Sequence, residues 1–149
     1  MDEPASITLS IERELKNAFL IGLSVNAICS YFELSREECY KVELVVMEAL
    51  NNVIQHSEEP GGKRRVELTA RLYSDRMVFE VSNWGTVDPS KGTLESSKGA
   101  PPAFDPGDIE NLPEKGRGLY LIRSLMDEVK QNRSGEKSTL VLVKYIAKK

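Results

Sequence analysis

Residues Ser6 to Ile11 alternate polar and apolar side chains, the period of a strand with one buried face. From about Glu12 to Phe32 the period changes. Leu15, Phe19, Leu23 and Ala27, then Ile28 and Phe32, recur at helical spacing, and Gly22 weakens that helix without ending it. Ser35-Arg36-Glu37-Glu38 has the form of a capping box, with Ser35 as N-cap and Glu38 reaching back. It opens a second helix to about His56, with Val42, Val46, Ala49, Leu50 and Val53 on the core face. Turn chemistry follows from Glu58 to Lys63 around Pro60-Gly61-Gly62. Arg64 to Tyr73 alternates again, and Ser74-Asp75 predicts a hairpin turn into a strand from Met77 to Asn83. A last helix from about Leu119 to Asp127 and two strands, near Glu128 to Asn132 and Thr139 to Ile146, complete the pattern.

Between Gly85 and Lys115 the periodicity stops. Five of the seven prolines fall there (Pro89, Pro101, Pro102, Pro106, Pro113), with Gly92, Gly99 and Gly107. Structureless segments beyond about 12–15 residues are uncommon in compact domains unless they are lids or binding loops. The segment of about 86–115 therefore reads as a lid within a single domain of 149 residues. The element order predicts an α+β fold, a two-layer sandwich of a mixed, mainly antiparallel sheet with helices on one face, and not a doubly wound nucleotide fold.

Composition narrows the function without naming it. With 40% hydrophobic and 29% charged residues the chain reads as an ordinary soluble globular protein. A net charge of -3 with no face gathering Lys and Arg gives no case for direct nucleic-acid binding. No apolar run reaches the roughly 18 residues of a membrane helix, and the acidic N-terminus has no signal core. Cys29 and Cys39 are too few for a disulfide framework and lack metal-ligand spacing, which predicts reduced thiols and a cytoplasmic protein. The lone His56 excludes a multi-histidine metal centre.

Three segments can carry chemistry. Glu48 and Asn52 lie four residues apart on the second helix, at the rim of its apolar arc, where a pocket would open. An amide oxygen at Asn52 suits Mg²⁺, a hard cation that keeps several waters, and Glu48 can deprotonate a hydroxyl or water beside it. Gly116-Arg117-Gly118 stands between the irregular segment and an apolar helix, where free backbone N–H groups receive phosphate oxygens, with Lys115 and Arg117 adding positive charge. Asn83-Trp84-Gly85, at a strand end, offers an amide to the edge of a base and a glycine for close approach. Met alone, each reads more readily as structure: a surface Glu with a local amide bond, a turn, a strand end with a packed tryptophan.

In this order the segments resemble the GHKL (Bergerat-fold) ATPases, and especially the small bacterial anti-sigma-factor serine kinases of the RsbW type. Glu48-Ala49-Leu50-Asn51-Asn52-Val53-Ile54-Gln55-His56 resembles their N-box, and Gly116 to Val129 their G2 box and following helix. The resemblance spans nearly the whole chain. It implies ATP and Mg²⁺ as cofactors, with Asn52 as metal ligand and Glu48 as catalytic base. Asn83, Gly85, Lys115, Gly116, Arg117, Gly118 and Leu119 would hold the nucleotide. It also implies a homodimer that binds a sigma factor and phosphorylates a serine or threonine of a STAS-domain anti-anti-sigma protein. One departure stands out: the family's G1 box begins with Asp, and this chain has Asn83 there. That substitution keeps open a second reading, a binding module with weak or no catalysis. A third, the catalytic domain of a two-component histidine kinase, lacks an acceptor-histidine hairpin ahead of the N-box.

Overall fold

A computed structural model of the chain describes residues 5–58, 65–84, 86–87 and 114–146. Its elements in chain order are β1 (Ala5–Glu12), α1 (Leu15–Tyr31), α2 (Arg36–His56), β2 (Ser57–Glu58), β3 (Arg65–Leu72), β4 (Arg76–Trp84), β5 (Thr86–Val87), α3 (Glu114–Leu125), β6 (Glu128–Ser134) and β7 (Lys137–Tyr145). The five longer strands form one antiparallel sheet in the order β1-β3-β4-β7-β6. The alternation read in the sequence sets its faces: Val66, Leu68 and Ala70 of β3 and Met77, Phe79 and Val81 of β4 are all buried. They meet Val42, Val45, Val46, Ala49 and Leu50 of α2 in one core. Helices α1 and α3 both pack against α2, completing a helical layer.

Helix α1 turns a different face inward from the stripe that the spacing suggests. Ala18, Ile21, Gly22, Val25 and Cys29 are buried, whereas Leu15, Phe19 and Leu23 are half or more exposed. The helix is apolar nearly all round, so periodicity alone leaves its rotation open. Small residues decide it. A Cβ added at Gly22 would stand 2.7 Å from Met47 Sδ, so glycine there permits the close approach of α1 and α2. That approach offsets the roughly 1 kcal/mol of helix propensity glycine forfeits.

The corner between α1 and α2 is closed by paired backbone groups. Glu33 takes a left-handed conformation (φ 61). Its N–H donates to Ser30 O, and that of Leu34 donates to Cys29 O, a Schellman ending. Ser35 then caps α2 by accepting from the Glu38 N–H at 3.1 Å, as the sequence predicts. The Glu38 carboxylate meets Lys144 Nζ at 3.4 Å.

Both cysteines lie inside this corner, free and buried. Burial pushes the Cys29 thiol up to about 12, helped by Cys39 and Glu43 nearby. The native state therefore keeps a proton that the unfolded chain releases above pH 9, and stability falls as pH rises through that window. The loss should reach about 2 kcal/mol by pH 10.5, at roughly 1.4 kcal/mol per pH unit. Urea unfolding of the wild type and Cys29→Ala at two pH values checks this: the difference between them should shrink with pH in the wild type's disfavour. A difference independent of pH contradicts it.

Candidate nucleotide site

Helix α2 carries Glu48 and Asn52 one turn apart, about 6 Å along its axis. Both are half-buried, beside the fully buried Ala49 and Leu50, as expected at the rim of the apolar arc. Asn52 makes a contact within the chain. A two-residue ladder decides which part of the sheet they face. β2 follows α2 directly and pairs antiparallel with β5, Ser57 opposite Val87 and Glu58 opposite Thr86. Only Gly85 separates β5 from the end of β4. The C-terminal end of α2 is thus tied to the C-terminal end of β4, and Asn52 and Asn83 come to the same end of the molecule.

Asn83 is 3% exposed, on the helix-facing side of β4 in step with Met77, Phe79 and Val81. Its register partner on β7 is Ser138, itself 5% exposed. Next to this pair, Lys137 Nζ lies 5.6 Å from the centre of the Trp84 ring, so the tryptophan packs under a cation. Ser138 is the residue that sequence reading misses. A lone serine in a strand carries no signal until register sets it beside a buried amide.

Helix α3 begins at Glu114, about five residues before the start the sequence suggests, and ends at Leu125. Gly116 therefore lies in the first turn and Gly118 and Leu119 in the second, not at the threshold. The N–H groups without intrahelical acceptors are those of Glu114, Lys115 and Gly116. At the other end of α3, the Asp127 N–H donates to Val143 O, far along β7 from Ser138. Helix α3 packs against α2. Gly85 and residues 88–113, most of the expected lid, lie outside the described residues, as do the side chains of Lys115, Gly116, Arg117, Gly118, Leu119 and His56.

This donor set suits a magnesium nucleotide. Asn83 and Ser138 are buried neutral hydrogen-bonding groups in register at the end of β4 and β7, and Glu48 and Asn52 are half-buried on α2. Among the described residues no three His, Cys, Asp or Glu side chains gather to hold a metal. A cavity of about 590 Å³ at the α1–α2 corner, lined by Ser35, Glu38, Tyr73 and Tyr145 among others, is a separate feature. It lies about 25 Å from Asn52 along α2, and its Lys144 is already paired with Glu38 and Asp127.

The family model of the histidine kinase-like ATPase domain matches residues 11–144. The chain is 29% identical to the serine-protein kinase RsbW of Bacillus mycoides over 147 residues, 98% of this chain and 88% of that protein. It is 28% identical over 130 residues to RsbW of Halalkalibacterium halodurans, 85% of this chain and 75% of that protein. Among solved structures, the RsbU and RsbW domains of a Mycobacterium tuberculosis protein superpose with a TM-score of 0.64 at 10% identity, over 94% of this chain and 32% of that one. A chain of the SiaB–SiaC complex from Pseudomonas aeruginosa gives 0.62 at 16% identity, over 94% of this chain and 89% of that one. At those identities the superpositions establish the fold. The chain belongs to the histidine kinase-like ATPase family, with the α+β architecture of its structural neighbours and a sequence similar to the RsbW serine-protein kinases.

Proposed function

We propose that this chain is an ATP-dependent serine/threonine protein kinase and an anti-sigma factor in a partner-switching circuit, phosphorylating a STAS-domain anti-anti-sigma protein. The observation that carries this is the position of Glu48 one turn before Asn52, on the stretch of α2 that β2 and β5 tie to the end of β4. Asn83 and Ser138 face the base, and the N-terminus of α3 receives the phosphates through the N–H groups of Lys115 and Gly116 and the charge of Lys115 and Arg117, with Gly118 and Leu119 in the turn that follows. Gly85 gives backbone room beside the base. Asn52 holds Mg²⁺, which when bound neutralises charge on the phosphates. Glu48 takes the proton from the hydroxyl of the incoming serine or threonine. Phosphoryl transfer asks mainly for positioning and charge neutralisation, which suits a site with so few catalytic groups. Relatives named serine-protein kinases support the reaction. A fold neighbour solved as the SiaB–SiaC complex supports a protein partner.

The remaining parts of the reading are a single domain closed by a lid at about 86–115, a cytoplasmic location and a homodimer that also binds a sigma factor. Among the described residues no helix is long and apolar enough to cross a membrane. For the homodimer the support is an apolar face: Phe19, Leu20 and Leu23 of α1 are each at least 60% exposed, and among the described residues β1 stands at an edge of the sheet.

A second reading, a binding module that sequesters a partner without catalysis, is favoured by Asn83. An amide lacks the charge-assisted grip of a carboxylate on an amino group. Titration calorimetry with ATP·Mg²⁺ separates the two. Micromolar binding that weakens when Mg²⁺ is removed supports the kinase, and the absence of binding leaves the module.

A further inference from the structure

We infer that the open edge of β1 pairs antiparallel with the β1 of a second copy, joining the two five-stranded sheets into one and packing α1 against its counterpart. This rests on the homodimer reading above and adds to it the surface and symmetry of the contact.

The two edges of the sheet differ in charge. Among the described residues the sheet ends at β1 on one side and at β6 on the other. β6 carries Glu128, Lys130 and Arg133, the kind of charged side chain that keeps a free edge from pairing. β1 carries no charge and no proline from Ala5 to Ile11, and Glu12 stands at its end. Among the described residues it pairs with β3 on one side only. A long, uncharged edge is a template for another strand. Ile7 lies on the helix-facing side, opposite the buried Ala70, yet is 43% exposed, so the core stops short of covering this strand.

Helix α1 continues the same flank. It touches β1, while α2 touches β4 and α3 touches β6, so the helices cross the sheet in the order of the strands beneath them. Gly22 faces Met47 of α2. At 100° per residue Leu20, Ala27 and Tyr31 lie about 140–180° from Gly22, on the side turned away from α2, and all three are exposed. No charged residue occurs from Asn17 to Tyr31. Lys16, in the first turn, is paired with Glu14 at 3.2 Å. Strand and helix are each about 25 Å long and their layers stand about 10 Å apart, which is comparable with a standard interface of about 800 Å² per partner. An occupant recognised through charge finds nothing to pair with on this flank. A second copy brings the same uncharged strand and the same apolar stripe, so like meets like without repulsion. Antiparallel pairing of β1 with itself sets a two-fold axis normal to the sheet, which keeps both helical layers on one face. The contact uses the β1 edge of both chains and closes at two.

The test is the dimer dissociation constant of the wild type, Ile7→Lys and Leu20→Glu, from light scattering over a micromolar dilution series. The wild type should be a dimer, and each substitution should weaken it by about tenfold or more, because each puts a charge into an uncharged contact. Both positions are solvent-exposed in the single chain, so the fold should persist, with circular dichroism as the check. If Ile7→Lys does not fold, Thr8→Lys, exposed on the same strand, takes its place. A monomeric wild type overturns the homodimer reading and the inference together. A dimer unchanged by both substitutions keeps the homodimer reading and overturns this contact. A dimer weakened by Leu20→Glu but not by the β1 lysine overturns the strand pairing.

Discussion

Glu48→Ala is expected to lose phosphoryl transfer by a factor of about 10²–10⁴, the contribution of a positioned general base, while ATP·Mg²⁺ affinity stays within a few fold. The separation follows from where the residue sits. Glu48 lies at the rim of the apolar arc of α2, half-buried and one turn from Asn52, outside the floor formed by Asn83 and Ser138. Its loss removes a proton acceptor without touching the groups assigned to base and metal. Alanine is the best helix former, and a half-buried rim position contributes little to the core, so α2 should persist with stability changed by about 0.5 kcal/mol or less. Transfer of labelled γ-phosphate to a STAS-domain protein, measured beside the nucleotide Kd, checks both halves. Transfer at the wild-type rate would remove Glu48 from the chemistry, and joint loss of binding and transfer would make it a structural residue.

Phe79→Ala should be the most damaging single core truncation, at about 3–5 kcal/mol. Phe79 stands in the middle of the central strand β4, fully buried beneath α2, with Ala70 opposite on β3 and Leu142 on β7. Its neighbours are held by two strands and a helix, so the cavity cannot collapse easily, and the cost falls at the upper end when a site cannot relax. Against a total stability of about 5–15 kcal/mol, that is a large fraction. The melting temperature should drop by about 6–20 °C, at roughly 2–4 °C per kcal/mol for a chain of this size. A drop of only one or two degrees would mean that the core is not centred on β4.

The parts of the fold readable from the sequence are those where one face is apolar and the other polar. β1, β3, β4 and α2 announce themselves this way, because burial on one side leaves a period of 2 or 3.6. Helix α1 is apolar on several sides, and its buried face is selected by Ala18 and Gly22, whose signal is smallness against Met47. Strands β2 and β5 leave no period because each has two residues, yet they fix the end of α2 to the end of β4. The early start of α3 is hidden because Gly116 and Gly118 are poor helix formers. Within the site, Glu48 and Asn52 are visible by spacing, whereas the pairing of Asn83 with Ser138 exists only in strand register.

The most direct measurement is incubation of the wild type with γ-labelled ATP, Mg²⁺ and a STAS-domain anti-anti-sigma protein, with Glu48→Ala in parallel, followed by phosphoamino-acid analysis. Wild type should place label on a serine or threonine of the STAS-domain protein, with Glu48→Ala lower by at least about a hundredfold. Equal, background label with both proteins, or label on a histidine of this chain, would contradict a serine/threonine kinase built on Glu48 and Asn52.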